Sequence, residues 1–379
     1  MRTFLCIVSL LLSTFCVHAE EPVKKLRFFN LDLHISVIAD VRYIFEQQGH
    51  EVVDWSISGH TWVFGKDRTA VDVVNQNTWT NLSPEMCDQF YERYKDFLNQ
   101  FDGFIVTHSP AFALLYEKLN KPIIIVNSTR YEQPFTGFPE KWIWLNSYLK
   151  KGVESKKIII VSNNKGDQKY LQQQAGIESE YIPNLCLYTN AAYTGSRDGF
   201  IFRCPFMDEL KRGISDQNLI QNDQLPHPYR WQDLYAFKGI VHFPYNISTM
   251  SIFEQYSANV PLFFPSKNFL RTLQAIYPDR ILQQLSFFQI FNLKPPTTPG
   301  DLNNIQDRKS LNSWIDSADF YDEENMPYIQ YFDSFDHLEE QLKTVDCNAI
   351  SQKMREHNEK RKQLVVEKWK TILSRIETP

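Results

Sequence analysis

The side chains in this sequence best suited to move a proton or hold an anion fall just beyond short apolar runs. Asp32 and His34 follow the run at residues 26–29, and His60 follows the run at 51–55. His108 follows 104–107, and Arg130 follows a run that ends at Val126. A carboxylate or imidazole can take a proton from a hydroxyl, and a guanidinium can hold a phosphate or carboxylate. Each residue also has a plainer use: Asp32 can cap the next helix, and His60 and His108 can be ordinary loop histidines. What singles them out is their shared position, because open α/β sheets bind ligands beyond the carboxyl ends of their strands.

A second group lies in residues 238–266, where a strand at 239–243 feeds a polar turn, a helix at 248–256 and another strand at 261–264. Ser248 or Thr249 can cap that helix. Its first N–H groups and its dipole then make an anion site sized for a diphosphate. Glu254 lies about one and a half turns further on. There a carboxylate can accept two hydrogen bonds from a ribose diol. Tyr245 can stack on a base or sugar, or simply pack. An ordinary capped helix with a solvent-facing Glu254 fits the same spacing.

The elements that must position these residues read as α/β throughout. Strands at 26–29, 51–55, 103–107 and 122–126 alternate with helical patterns, which is the signature of a parallel sheet with right-handed crossovers. The pattern breaks near residue 150 and restarts with a strand at 157–161, the loop 162–167 and a helix. The expected organisation is a leader over 1–19, a Rossmann-like domain over 22–150, a second over 151–345 and a C-terminal helix over 346–379. The two domains face a cleft. Residues 285–325 read as loop-dominated. In the last helix Met354, Leu364, Val365, Trp369 and Ile372 mark the buried stripe, and the basic run 360–362 reads as a solvated face.

The segment 238–266 resembles the donor-nucleotide motif of GT-B glycosyltransferases. The matching parts are Pro244, Ser248, Thr249, Met250 and Ser251, then Glu254, then Asn259-Val260-Pro261. The resemblance implies two facing Rossmann-like domains, a nucleotide-sugar held mainly by the second, and a last helix that crosses back onto the first. It implies glycosyl transfer to a glycan or protein acceptor, with no cofactor and no metal. Asp32, His108 and His34 then become base or acceptor-orienting groups. Tyr245, Ser248, Thr249, Met250, Ser251 and Glu254 become donor contacts, and Arg130 and His60 acceptor or phosphate contacts. Lys165, in the loop 162–167, stands where many members carry cations on the diphosphate. The acidic start of the motif found in the retaining branch has no match here, so the anomeric outcome stays open.

Composition fits an exported enzyme. Forty basic side chains against 45 acidic ones, a net charge of −5, argue against a nucleic-acid binder held by charge. Arg2, an apolar run and Val17-His18-Ala19 make the layout of a secretory signal peptide. Its run is shorter than the ~20 residues needed to span a bilayer. No stable membrane span is expected after cleavage, and the compartment is a secretory lumen, a periplasm or the exterior. Cys186 and Cys204 can pair or remain buried thiols. Sequons occur at Asn81, Asn127 and Asn246, with Asn81 in the most turn-like setting. Aromatic residues make up 14% of the chain. Trp142, Trp144, Tyr229, Trp231, Tyr245, Tyr321, Tyr328 and Tyr331 fall in or near loops, where they could serve as stacking platforms. Two other readings share the architecture: an exported two-lobed solute-binding protein without catalysis, and a GT-B-fold sugar-nucleotide epimerase.

Overall fold

A computed structural model describes residues 24–203, 219–221, 224–225 and 228–377, without the side chains of Asp32 and Glu377. The leader expected over 1–19 and the proposed partner thiol Cys204 lie outside the described residues. Cys186 is buried.

The first half runs β1 (Arg27–Asp32), α1 (Ile35–Gln47), β2 (Glu51–Ser56), α2 (Pro84–Leu98), β3 (Gly103–Thr107), a 3-10 segment Pro110–Leu119 and β4 (Ile123–Asn127). It continues with α3 (Pro139–Glu154), β5 (Ile158–Ser162), α4 (Lys165–Ala175) and β6 (Glu180–Tyr181). These strands form one parallel six-stranded sheet in the order β2-β1-β3-β4-β5-β6. Every residue of β3 and β4 is buried, as a parallel sheet covered on both faces requires.

The second half runs β7 (Arg197–Arg203), β8 (Leu219–Gln221), α5 (Trp231–Tyr235), β9 (Phe237–His242), α6 (Met250–Ser257), β10 (Leu262–Pro265) and α7 (Lys267–Ile276). Then come α8 (Phe287–Ile290), α9 (Arg308–Asp316), β11 (Gln330–Phe332), α10 (Phe335–Thr344) and α11 (Cys347–Glu377). Its five strands are also parallel, in the order β11-β10-β9-β7-β8. Short helices interrupt the stretch expected as loop, at α8 and α9.

The architecture is α/β with two Rossmann-like sheets, the arrangement of the GT-B fold. The expected boundary near residue 150 is displaced. β5 pairs with β4 from Ile123↔Ile158 to Asn127↔Ser162, so it belongs to the first sheet. The chain leaves that sheet at Tyr181 and enters the next at Arg197. The physical reason is that the run Ile158-Ile159-Ile160-Val161 extends an existing apolar sheet edge instead of nucleating a new one. Sequence spacing does not distinguish these two outcomes.

The last helix bridges the halves. Met354 packs in the core shared with the second sheet, whereas Val365, Trp369, Ile372 and Leu373 pack in the cluster under α1. Trp369 meets Phe45 of α1 edge-on, with centroids 5.3 Å apart. Leu364 is exposed, so it drops out of the expected stripe. Arg361, expected on a solvated face, is buried. It donates from Nε to Asn325 Oδ1 at 2.8 Å, from Nη1 to Ser257 Oγ at 3.2 Å and from Nη2 to the Asn184 carbonyl. Asp40 of α1 grips the same connection, accepting from Asn184 Nδ2 at 2.7 Å and from the Leu185 and Cys186 amides.

Asn127 is buried at the end of β4, and Asn246 accepts from Arg130, whereas Asn81 is exposed. Among the described residues no helix is long and apolar enough to cross a membrane.

Candidate functional site

Both sheets reverse their strand order at one point, between β1 and β3 in the first and between β7 and β9 in the second. In open parallel sheets the crevice at such a point is where ligands bind, because the connecting loops there diverge to opposite faces. The loops leaving β1 and β3 carry His34 and His108. The ends of β7 and β9 carry Arg203 and the turn into α6. A cavity of about 500 Å³ lies between the halves. It is lined by His34, His60, His108, Ser128, Thr129 and Arg130 from the first, and by Trp231, Tyr245, Ser248 to Ser251, Glu254 and Phe287 from the second.

On the first-domain wall the rings of His34 and His108 lie 5.0 Å apart at an interplanar angle of 34°. Burial lowers the pKa of both. His108 is driven well below its ordinary value, and the nearby His34 and Arg130 add to that shift. At neutral pH His108 is therefore the uncharged imidazole, able to accept a proton. Its φ is +64°, a left-handed conformation uncommon for a residue with a Cβ and found disproportionately at functional sites. Asp32 closes β1, and its side chain lies outside the described residues. His60 sits at the N-terminus of the turn Thr61–Phe64 and lines the cavity. The histidines do not form a metal-binding cluster with other ligand types among the described residues.

Arg130 is only 3% exposed. It reaches across the interface to Asn246 Oδ1 at 3.4 Å and the Gln284 carbonyl at 3.1 Å, and it pairs with Asp167 at 3.5 Å. Its guanidinium also lies over the rings of Phe287 and Trp314, with centroid distances of 5.7 and 5.6 Å. Gly166 permits the close approach of α4 that this arrangement needs: a Cβ there would stand 2.1 Å from the Ile247 side chain.

On the second-domain wall Thr249 is the N-cap of α6 by position, but its side chain makes no capping bond. Its hydroxyl lies 3.1 Å from that of Ser251. Ser248 instead donates to the buried Asp319. The first turn of α6 therefore faces the cavity without a side-chain acceptor of its own. Glu254 is buried rather than solvent-facing. Its Oε1 accepts from the Tyr188 hydroxyl at 2.6 Å and its Oε2 from Trp231 Nε1 at 3.1 Å. Burial raises its pKa, and the two donors oppose that shift. A carboxylate oxygen has two lone-pair sites, so each oxygen keeps capacity for one more donor.

A smaller recess of about 190 Å³ adjoins the same turn, lined by Arg203, His242, Pro244, Tyr245, Thr249 and Ser251. Arg203, at the end of β7, has a buried Nε without a hydrogen-bond partner. It supplies the cation beside α6. The sequence signal for it was a basic residue closing the apolar run Phe200-Ile201-Phe202. His242 is committed elsewhere: it bonds to Gln255 at 2.7 Å, stacks on Phe264, and burial lowers its pKa to about 3.

Lys165 does not enter the cavity. It pairs with Asp322 at 2.9 Å and lies over the Tyr181 ring, because its loop ends a strand of the first sheet, not the second. Of the eight aromatics expected in or near loops, Trp231 and Tyr245 line the cavity. Trp142 and Trp144 pack against Tyr131 and Phe135. Tyr321 and Tyr331 pack on each other and bond to the Pro265 and Phe320 carbonyls.

No family model matches the chain, and no curated protein matches it. Among solved structures it is similar to the calicheamicin glycosyltransferase, at 9% identity over 94% of this chain and 100% of that one, with a TM-score of 0.40. The glycosyltransferase SnogD from Streptomyces nogalater aligns at 11% identity over 90% and 99%, TM-score 0.42. A UDP-N-acetylglucosamine 2-epimerase described as putative, from Listeria monocytogenes, aligns at 11% over 89% and 98%, TM-score 0.42. The functional reading rests on the geometry of the cleft.

Proposed function

We propose that the chain is a glycosyltransferase that moves a sugar from a nucleotide-sugar donor to a hydroxyl-bearing acceptor. The observation that carries this reading is the meeting of the two sheet switch points on one cavity. His34 and His108 stand on one side, and the open first turn of α6 with Glu254 on the other. The donor's diphosphate sits at the α6 turn, with Arg203 beside it, and Glu254 accepts from the ribose. Tyr188 and Trp231 hold that carboxylate in place.

Transfer needs the acceptor oxygen to attack the anomeric carbon while the bond from that carbon to the diphosphate oxygen breaks. The acceptor proton passes to the neutral His108 imidazole. The negative charge gathering on the diphosphate is met by the helix N-terminus and the Arg203 guanidinium, which are already oriented. Burial between two domains excludes the water that would otherwise hydrolyse the donor. On this reading the enzyme works in an exported compartment, directed there by the leader at residues 1–19.

The test is a binding panel of UDP, GDP, dTDP, free sugars and amino acids, read by calorimetry. Saturable binding of one nucleoside diphosphate, weakened in Glu254→Ala, is expected. Binding of a free sugar or amino acid alone would replace the transferase with a solute-binding protein.

A further inference from the structure

We propose that the acceptor is a molecule whose hydroxyl is carried on an apolar ring or chain, rather than a glycan. The inference rests on the transferase reading for the identity of the reaction, but its argument comes from the cavity wall. Recognising a sugar's adjacent hydroxyls takes side chains with several hydrogen-bonding sites, above all carboxylates and amides. Among the described lining residues Glu254 is the one carboxylate, and it already accepts from Tyr188 and Trp231. Three amides line the cavity: the Asn163 side chain donates to Asn184 and accepts from Asn164, Asn246 accepts from Arg130, and Gln284 is the third. What the mouth offers beyond these is uncovered hydrocarbon. Val63 and Ile290, from opposite domains, both line the cavity and are both exposed, as is Tyr245.

The residues next in sequence to Val63 and Ile290 are also apolar and exposed. Trp62, next to Val63 on the turn Thr61–Phe64, is 65% exposed. Phe291, next to Ile290, is exposed and stacks on Phe287 of the cavity wall, with centroids 5.6 Å apart. Large apolar side chains left in water on both lips of one cleft are the kind of patch that marks a binding site. Each is worth about 1.5–3 kcal/mol when fully buried. A glycan has little hydrocarbon to cover them with. An acceptor with one hydroxyl and an apolar body covers them while its oxygen reaches the histidine pair.

The experiment titrates the full chain, saturated with whichever of UDP, GDP and dTDP binds it, with four probes: 1-naphthol as a soluble ring, farnesol as a lipid-like chain, methyl β-galactoside and lactose. Saturable binding of naphthol or farnesol is expected, at least about tenfold tighter than either glycoside, and the better of the two identifies ring or chain. Val63→Ser and Ile290→Ser should each weaken that binding by about fivefold. Ile276→Ser, at an exposed apolar residue outside the cleft, should leave it unchanged. Equal or tighter binding of the glycosides, no saturable binding by either alcohol, or indifference to both cleft substitutions overturns the inference. Binding of UDP, GDP and dTDP to the unsubstituted protein is measured first. Failure of all three to bind defeats the transferase reading, while the alcohol and glycoside titrations still decide what the cleft accepts.

Discussion

The imidazoles of His34 and His108 lie 5.0 Å apart at the switch point of the first sheet, on loops that leave adjacent parallel strands in opposite directions. Two imidazoles so close cannot both hold a proton cheaply, and burial opposes charge on either. The pair is therefore kept neutral, which is the state a general base requires. His108→Gln should lower transfer by about 10²- to 10⁴-fold while leaving nucleoside-diphosphate affinity within about twofold. Because the His108 pKa is depressed, the acid limb of the kcat/KM profile should fall below pH 6.5 and disappear in the variant. Equal losses of donor binding and turnover would show that the ring is structural.

On the donor side, Arg203 and Lys165 give opposite expectations. Arg203 stands beside the α6 turn, whereas Lys165 is occupied by Asp322 outside the cavity. Arg203→Ala should weaken UDP or its equivalent by about tenfold or more, the scale of a lost charge-assisted hydrogen bond. Lys165→Ala should change affinity by less than about twofold and stability by about 0–1 kcal/mol, as for a partly exposed ion pair. Calorimetric titration of both variants checks the assignment, and the reverse pattern would restore the lysine to the diphosphate.

Tyr188→Phe tests whether Glu254 is held from behind. Removing the hydroxyl that donates to Glu254 at 2.6 Å leaves the carboxylate one partner short, while Tyr188 itself stands behind the cavity wall and does not line it. Donor affinity should fall by about three- to tenfold, with the nucleoside diphosphate and the free nucleoside affected alike, because the ribose is common to both. An effect on the diphosphate alone would point to the α6 turn instead.

These contrasts mark where sequence reasoning succeeds and where it stops. The apolar runs of β1, β3 and β4 and the strand-turn-helix at 238–266 are local patterns, and His34, His108, Arg130 and Glu254, which follow or lie in them, line one cavity. Sheet membership is not local. β5 has the same isoleucine-rich run whether it starts a new sheet or extends an old one, and that ambiguity misplaced the domain boundary and Lys165 with it. Arg361 reads as one charge in the basic run Lys360-Arg361-Lys362. It is buried only because the helix crosses the linker at that turn. The partners of Glu254 come from positions 188 and 231, beyond the reach of any spacing rule.

Glu132 gives a pH prediction with a definite sign. It is buried beside Arg130, and burial raises its pKa from 4.5 to about 7. The folded state thus binds its proton more tightly than the unfolded chain does. Its contribution is fully present below pH ~4.5 and is lost as pH rises through about 7. Glu132→Gln keeps the neutral shape and removes the titration. The melting temperature of the variant relative to the parent should rise between pH 5 and pH 8.5. A constant difference across that range would mean that the carboxyl is not held protonated.

Arg361 carries the last prediction, because it ties three parts of the fold together. Its guanidinium donates to Asn325 and Ser257 in the second half and to the Asn184 carbonyl in the linker. Asp40, from the first half, grips the same linker at Asn184, Leu185 and Cys186. Arg361→Met keeps much of the apolar stem but strands three acceptors in a dry interior, at roughly 1–3 kcal/mol for each one left unsatisfied. Water entering the gap recovers part of that, so a net loss of about 3–5 kcal/mol is expected. The two halves should also lose their coupling. Calorimetry of the parent should show one transition, and that of the variant an earlier, broader one that resolves toward two. A single transition with an unchanged midpoint would mean that the helix-to-helix packing around Trp369 joins the domains without the arginine.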